Sequence, residues 1–110
     1  MKVAVASSGS NLEAKVEPRF GRCTYFVVVD TDTMQFEALE NPGALAGTGA
    51  GIAAAQIIAD AGAEAVVAGT VGPNALEALK SGGLKLYGAA GGTVAEAAGA
   101  AAAGDLEALI

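Results

Sequence analysis

Alternation of short apolar runs with helical patterns predicts an α/β domain built on a five-stranded mixed sheet. Three observations carry that prediction. From Lys2 to Glu40 the chain reads as three consecutive strands, the last two joined through the turn Asp30-Thr31-Asp32-Thr33. From Gly47 to Gly72 it reads as a glycine-rich loop, a helix, a stop at Gly62, a buried strand and a second glycine turn. From Pro73 onward a helix, a strand and a third helix follow, ending near Gly104. A strand meander followed by two helical crossovers is most simply ordered 3-2-1-4-5, with helices on both faces and strand two opposed to the other four.

Each element has its own local reason. Lys2 to Ala6 is short and apolar, and Thr24 to Asp30 is aromatic and β-branched, the composition that suits a pleated surface. Met34 to Glu40 is more polar, with Gln35 and Glu37 facing out, as an edge strand requires. Asn41-Pro42-Gly43 breaks the pattern. In the first helix Ala54, Ile57, Ile58 and Ala61 recur at helical spacing, while Gln56 and Asp60 form a polar stripe. Gly62 suits the left-handed conformation that ends many helices. Ala65 to Ala68 is uninterruptedly apolar, as a parallel strand covered on both faces must be. Pro73 suits a first helical position, and Leu76 and Leu79 supply the buried stripe of the second helix. Leu84 to Tyr87 is the fifth strand. Thr93-Val94-Ala95-Glu96 matches a capping box for the alanine-rich third helix, and the tail Leu106 to Ile110 is free to dock or fray.

Composition limits the chemistry. The 110 residues suit one domain spanning 1–110, and no segment approaches the roughly 18 uninterrupted apolar residues of a membrane span. The chain enters a strand pattern directly from Met1-Lys2, which makes the cytoplasm the expected compartment. A net charge of −6 argues against nucleic acid, since phosphate neutralisation needs a basic stripe. A lone cysteine excludes an internal disulfide or a multi-cysteine metal cage, and the absence of histidine removes the commonest proton shuttle and metal ligand. Classical hydrolase triads and zinc catalysis fall away with them, and the expectation is a protein that is not an enzyme.

The predicted order gathers the loops Ser7–Arg22, Asn41–Gly49, Thr70–Pro73 and Ala89–Thr93 at the carboxyl edge of the sheet, where open α/β sheets bind ligands. Three helix N-termini point there, and Arg19, Arg22 and Lys15 join them, which suits an anion. Glycines 9, 47, 49, 51, 72, 91 and 92 either permit close backbone approach to that anion or merely serve turns. Ser7, Ser8 and Thr70 are candidate donors, or caps of local turns. Gly49-Ala50-Gly51-Ile52-Ala53-Ala54 fits the dinucleotide fingerprint formally but lacks the strand before it. The sheet order is also that of the ribonuclease H-like fold. A nuclease needs carboxylates around metal ions; the first strand has none, and Asp30 emerges at the opposite edge. Cys23 has two readings: a thiolate near the arginines that ligates iron, or a small buried residue at a strand start.

The run Val16-Glu17-Pro18-Arg19-Phe20-Gly21-Arg22-Cys23-Thr24-Tyr25-Phe26 resembles the dinitrogenase iron–molybdenum cofactor biosynthesis family, small nitrogenase accessory domains. The resemblance continues in order through Glu40-Asn41-Pro42, Gly49-Ala50-Gly51-Ile52, Ala68-Gly69, Gly72-Pro73-Asn74-Ala75 and Gly91-Gly92-Thr93-Val94. It implies a ribonuclease H-like three-layer α/β/α fold and non-catalytic carriage of the iron–molybdenum cofactor or an iron–sulfur precursor, with cofactor-biosynthesis proteins as partners. The implied binding edge is the Pro18–Cys23 loop with the loop Thr48–Gly51. The candidate binding residues are Ser7, Arg19, Phe20, Gly21 and Arg22 from the first loop. Thr48, Gly49, Ala50 and Gly51, then Gly72 and Asn74, and finally Gly91, Gly92 and Thr93 complete the set. Family members often carry a histidine where this chain has Thr48, which leaves Cys23 as the one soft metal ligand. A small anion- or phosphometabolite-binding module without metal is the alternative reading.

Overall fold

A computed structural model describes residues 1–41, 50–88 and 91–109, with the side chain of Ala50 set aside. Five strands, β1 (Lys2–Ser7), β2 (Tyr25–Asp30), β3 (Gln35–Glu40), β4 (Ala65–Ala68) and β5 (Lys85–Gly88), form one sheet in the order β3-β2-β1-β4-β5. β1 runs antiparallel to β2 and parallel to β4; β2 is antiparallel to β3, and β4 parallel to β5. The predicted order and strand directions are therefore those observed. The helices are α1 (Ala50–Asp60), α2 (Pro73–Ser81) and α3 (Val94–Ala103).

The period-two alternation of the strands divides the core into two layers. Ala4 and Ala6 of β1, Phe26 and Val28 of β2 and Val66 of β4 pack with Ile58 of α1 and Leu79 of α2. Val3, Val5, Val27, Val29 and Val67 point the other way, onto Val94, Ala97, Ala98 and Ala101 of α3. The result is a three-layer α/β/α sandwich. Small residues on β1 and α3 let the layers approach closely, which is the packing use of the alanine richness.

Three local differences from expectation have physical causes. Met34 belongs to the turn, at φ 60, so β3 begins one residue later than predicted. Phe36, on that edge strand, is 45% exposed because α3 packs chiefly against β1 and β4. In α2 the fully inward positions are Ala75 and Leu79, with Leu76 half-buried beside them. The tail docks: Leu109 N–H donates to Leu86 O at 2.7 Å and Gly88 N–H to Glu107 O at 3.0 Å, covering the outer edge of β5. Gly62 adopts the expected left-handed conformation at φ 83, and Gly104, at the expected end of α3, does the same at φ 78. Among the described residues no helix is long and apolar enough to cross a membrane.

Candidate functional site

β1 and β4 are parallel neighbours at the point where the strand order reverses, and the segment 15–20 fills the crevice beyond their carboxyl ends. Glu17 N–H donates to Ala6 O at 2.9 Å, tying the segment to β1. Pro18 has no N–H to satisfy, and its carbonyl accepts from both Gly69 N–H and Thr70 N–H, at 2.8 and 2.6 Å. Phe20 N–H then donates to Thr70 O at 2.9 Å. A single 3-10 turn, Phe20–Arg22, follows, closed by Arg22 N–H donating to Arg19 O. The Phe20 ring is fully buried against Phe26, centroids 5.1 Å apart, and anchors the turn in the core. Arg19 and Arg22, on either side of that anchor, remain exposed.

An open cavity of about 300 Å³ lies beside this turn. Arg19, Gly21, Arg22, Thr70 and Asn74 line it, and Gly51 of α1 reaches it as well. The start of α2 contributes Gly72 and Pro73, and no side chain caps that helix. The amides that such a helix start leaves without partners, and the positive end of its dipole, favour an anion. Arg19 Nε donates to Glu17 Oε1 at 3.0 Å, and this hydrogen bond is the main reason the Glu17 carboxyl is held below its usual range. Arg22 has no ion pair among the described residues. Its charge is available to a ligand.

Not every predicted residue meets there. Ser7 is buried and committed to a local turn, its hydroxyl donating to Gly9 O at 2.7 Å and accepting from Gly9 N–H at 3.1 Å. Gly92 and Thr93 face Val16 and Lys15: Val16 N–H donates to Gly92 O, and Lys15 pairs with Thr93. Thr93 caps α3, with Glu96 N–H on its hydroxyl and its own N–H on the Glu96 carboxylate. The next two amides are taken as well, Val94 N–H by Ala14 O and Ala95 N–H by Leu12 O, both at 2.9 Å, so the start of α3 offers no amides to the cavity. Gly91, Gly92, Thr93 and Lys15 therefore stand apart from it, because the capping box that marks the helix in sequence also closes its end. Thr48 and Gly49 lie outside the described residues, and only the backbone of Ala50 is described.

Cys23 is 1% exposed and packs in the α1–α2 core. Burial pushes its thiol up to about 12, only partly offset by hydrogen bonds from the Ser7 backbone and the Asn41 side chain. Its S–H donates to Phe20 O at 3.3 Å. It stands as a neutral thiol, directed into the core. No group of three or more histidine, cysteine or carboxylate side chains among the described residues could hold a metal ion.

Two contributors to the site escape a sequence reading. Glu17 is visible only as a charge two residues before Arg19, yet it fixes that guanidinium. Asn41 reads as a turn residue, but its amide reaches back to the Gly21–Cys23 segment. The hint in the sequence is that Glu40-Asn41-Pro42 is one of the segments that carry the family resemblance, which marks the position without giving its role.

Sheet order, two-sided core and the cleft at the switch point define a small three-layer α/β domain of the ribonuclease H-like order, with Asp30 at the amino edge opposite Lys2, far from the cleft. The chain belongs to the dinitrogenase iron–molybdenum cofactor family, whose sequence model matches residues 1–104. It is 40% identical to the orange protein of Desulfovibrio gigas, solved in its apo form, with a TM-score of 0.91 over 96% of this chain and 90% of that one. A putative NifB protein from Thermotoga, solved by NMR, is 41% identical, with a TM-score of 0.85 over 98% of this chain and 92% of that one. An uncharacterized protein of Methanocaldococcus jannaschii is 30% identical over 90 residues, covering 79% of this chain and 73% of the relative.

Proposed function

We propose that this protein carries an anionic metal–sulfur cluster, the iron–molybdenum cofactor or an iron–sulfur precursor, without catalysing a reaction on it. One observation carries the reading. On a chain of net charge −6, Arg19 and Arg22 meet the start of α2, uncapped by any side chain, at a single cavity. Family membership supplies the class of cargo. A cluster's outer sulfides accept hydrogen bonds, so guanidinium and amide donors can grip it without a metal–ligand bond. In this reading Arg22 is the principal contact, Arg19 a second one oriented by Glu17, and Thr70 and Asn74 are neutral donors. Phe20 and Gly21 hold the turn, and Gly51 and Gly72 form the rim. Ligation by Cys23 would require the turn above it to open and its proton to leave, so the grip is assigned to charge and hydrogen bonds. Cofactor-biosynthesis proteins in the cytoplasm are the partners such a carrier needs.

The donor set also favours a second reading, a small tetrahedral anion or phosphometabolite, because the described residues offer no cluster of metal-ligating side chains. Anaerobic reconstitution with ferrous iron, sulfide and molybdate, read by absorption after desalting, separates the two. The carrier reading expects a retained chromophore in the parent and its loss in Arg19→Ala/Arg22→Ala, with the fold intact by circular dichroism. No retained chromophore in the parent sinks it. Binding of phosphate by calorimetry in that case leaves the second reading standing.

A further inference from the structure

We infer that Asn41 is a positioning residue for Arg22, an inference that rests on the anion-carrying role of the cavity. Asn41 closes β3 and is 6% exposed, a polar side chain inside the core. Its backbone N–H donates to Thr24 O at 3.0 Å, continuing the β2–β3 pairing past Tyr25 and Glu40. From that fixed point the side-chain amide Nδ2 donates to Cys23 O at 3.0 Å and to Gly21 O at 3.4 Å. It also lies 3.7 Å from the Cys23 sulfur. The two carbonyls belong to the residues immediately before and after Arg22, so one amide group braces the backbone on both sides of it.

The 3-10 turn is tied at its start by Phe20 N–H on Thr70 O and drawn together by the Cys23 S–H on Phe20 O, but neither bond holds the carbonyls beside Arg22. It is one turn long, has no side-chain cap at its start, and carries a glycine at its centre. Phe20 anchors its beginning and Asn41 its end, and Arg22 lies at the end that Asn41 holds. A long side chain that presents its charge from a loose turn loses more freedom on binding than one presented from a braced turn. Buried donors that orient a contact residue behave in the same way as the outer partners of metal ligands, whose removal weakens affinity by roughly 10–100-fold.

The test is a double-mutant cycle on affinity for the cluster assembled anaerobically from ferrous iron, sulfide and molybdate. Asn41→Ala is expected to weaken retention by roughly tenfold in a protein that remains folded. Added to Arg22→Ala it should cause little further loss, whereas added to Arg19→Ala it should cause its full loss again. A merely structural role predicts equal losses in both backgrounds, and that outcome overturns the inference, as does unchanged affinity in Asn41→Ala. Should Asn41→Ala fail to fold, Asn41→Leu keeps the branched shape, removes the donor without adding charge and runs through the same cycle: a small further loss beside Arg22→Ala with the full loss beside Arg19→Ala supports the inference, and equal losses overturn it. A parent that retains no cluster overturns the carrier reading and this inference together. A parent that retains it while the Asn41 variants bind equally well overturns this inference alone.

Discussion

At Cys23 burial keeps the proton on the sulfur, whose S–H donates to the Phe20 carbonyl, against the Ser7 backbone and Asn41 amide donors that favour the thiolate. Because burial raises the folded-state pKa from the ordinary 9.0 to about 12, the thiol contributes stability below pH 9 that is lost as the pH rises from about 9 through about 12. Urea unfolding should therefore show the parent losing more stability between about pH 8 and about pH 10 than Cys23→Ala does. The variant should be less stable at neutral pH by about 1 kcal/mol, from the small void it leaves. Equal alkaline losses in the two proteins would mean that the thiol ionises freely in the folded state. The sequence alone leaves this residue between thiolate and core filler, since neither its burial nor its partners follow from the residues next to it. Arg19 and Arg22 are legible because scarce positive charge on an acidic chain is informative wherever it folds.

Between elements, α1 and α2 meet closely at their starts. A Cβ placed on Gly51 would stand 2.6 Å from the Ala75 Cβ, so any side chain there must push the two helix starts apart. Gly99, within α3, faces open space. The same substitution therefore has opposite signs at the two places. Gly99→Ala should stabilise by about 0.5–1 kcal/mol through helix propensity. Gly51→Ala should destabilise by about 1–3 kcal/mol from overpacking, although it gains the same propensity. Thermal or urea unfolding of the two variants checks this, and a stabilised Gly51→Ala would show that the helices separate without cost. From sequence Gly51 reads as part of the glycine loop before α1 and Gly99 as an interruption of α3, and neither reading gives the distance to Ala75. The sheet order can be read because alternation and loop placement are local signals combined by simple connection rules. Which helix starts are open to the cleft cannot, because the first amides of α3 are taken by the carbonyls of Ala14 and Leu12, some eighty residues away in the chain.

Across the whole molecule, the favourable site for an anion is set into a body that repels anions. Twelve acidic side chains oppose six basic ones, so the long-range field works against the proposed cargo and only short-range geometry can overcome it. At physiological ionic strength exposed charges more than roughly 8 Å apart are largely screened, which confines the useful attraction to groups lining the cavity. A charge-matched comparison separates geometry from net charge. Arg19→Ala/Arg22→Ala and Lys15→Ala/Lys80→Ala each remove two positive charges from the same chain. Lys15 lies against Thr93 on the α3 side, and Lys80 is in the last turn of α2, away from the helix start that lines the cavity. If local contact governs binding, the arginine pair should lose at least roughly a hundredfold in affinity, the loss of two contacts at a factor of ten or more each. The lysine pair should change by less than about threefold, and raising the salt should shrink even that difference. Calorimetry or equilibrium dialysis with the reconstituted cluster measures both. Equal losses in the two variants would show that the cargo responds to the charge of the whole chain, and the cavity would then have no special claim on it.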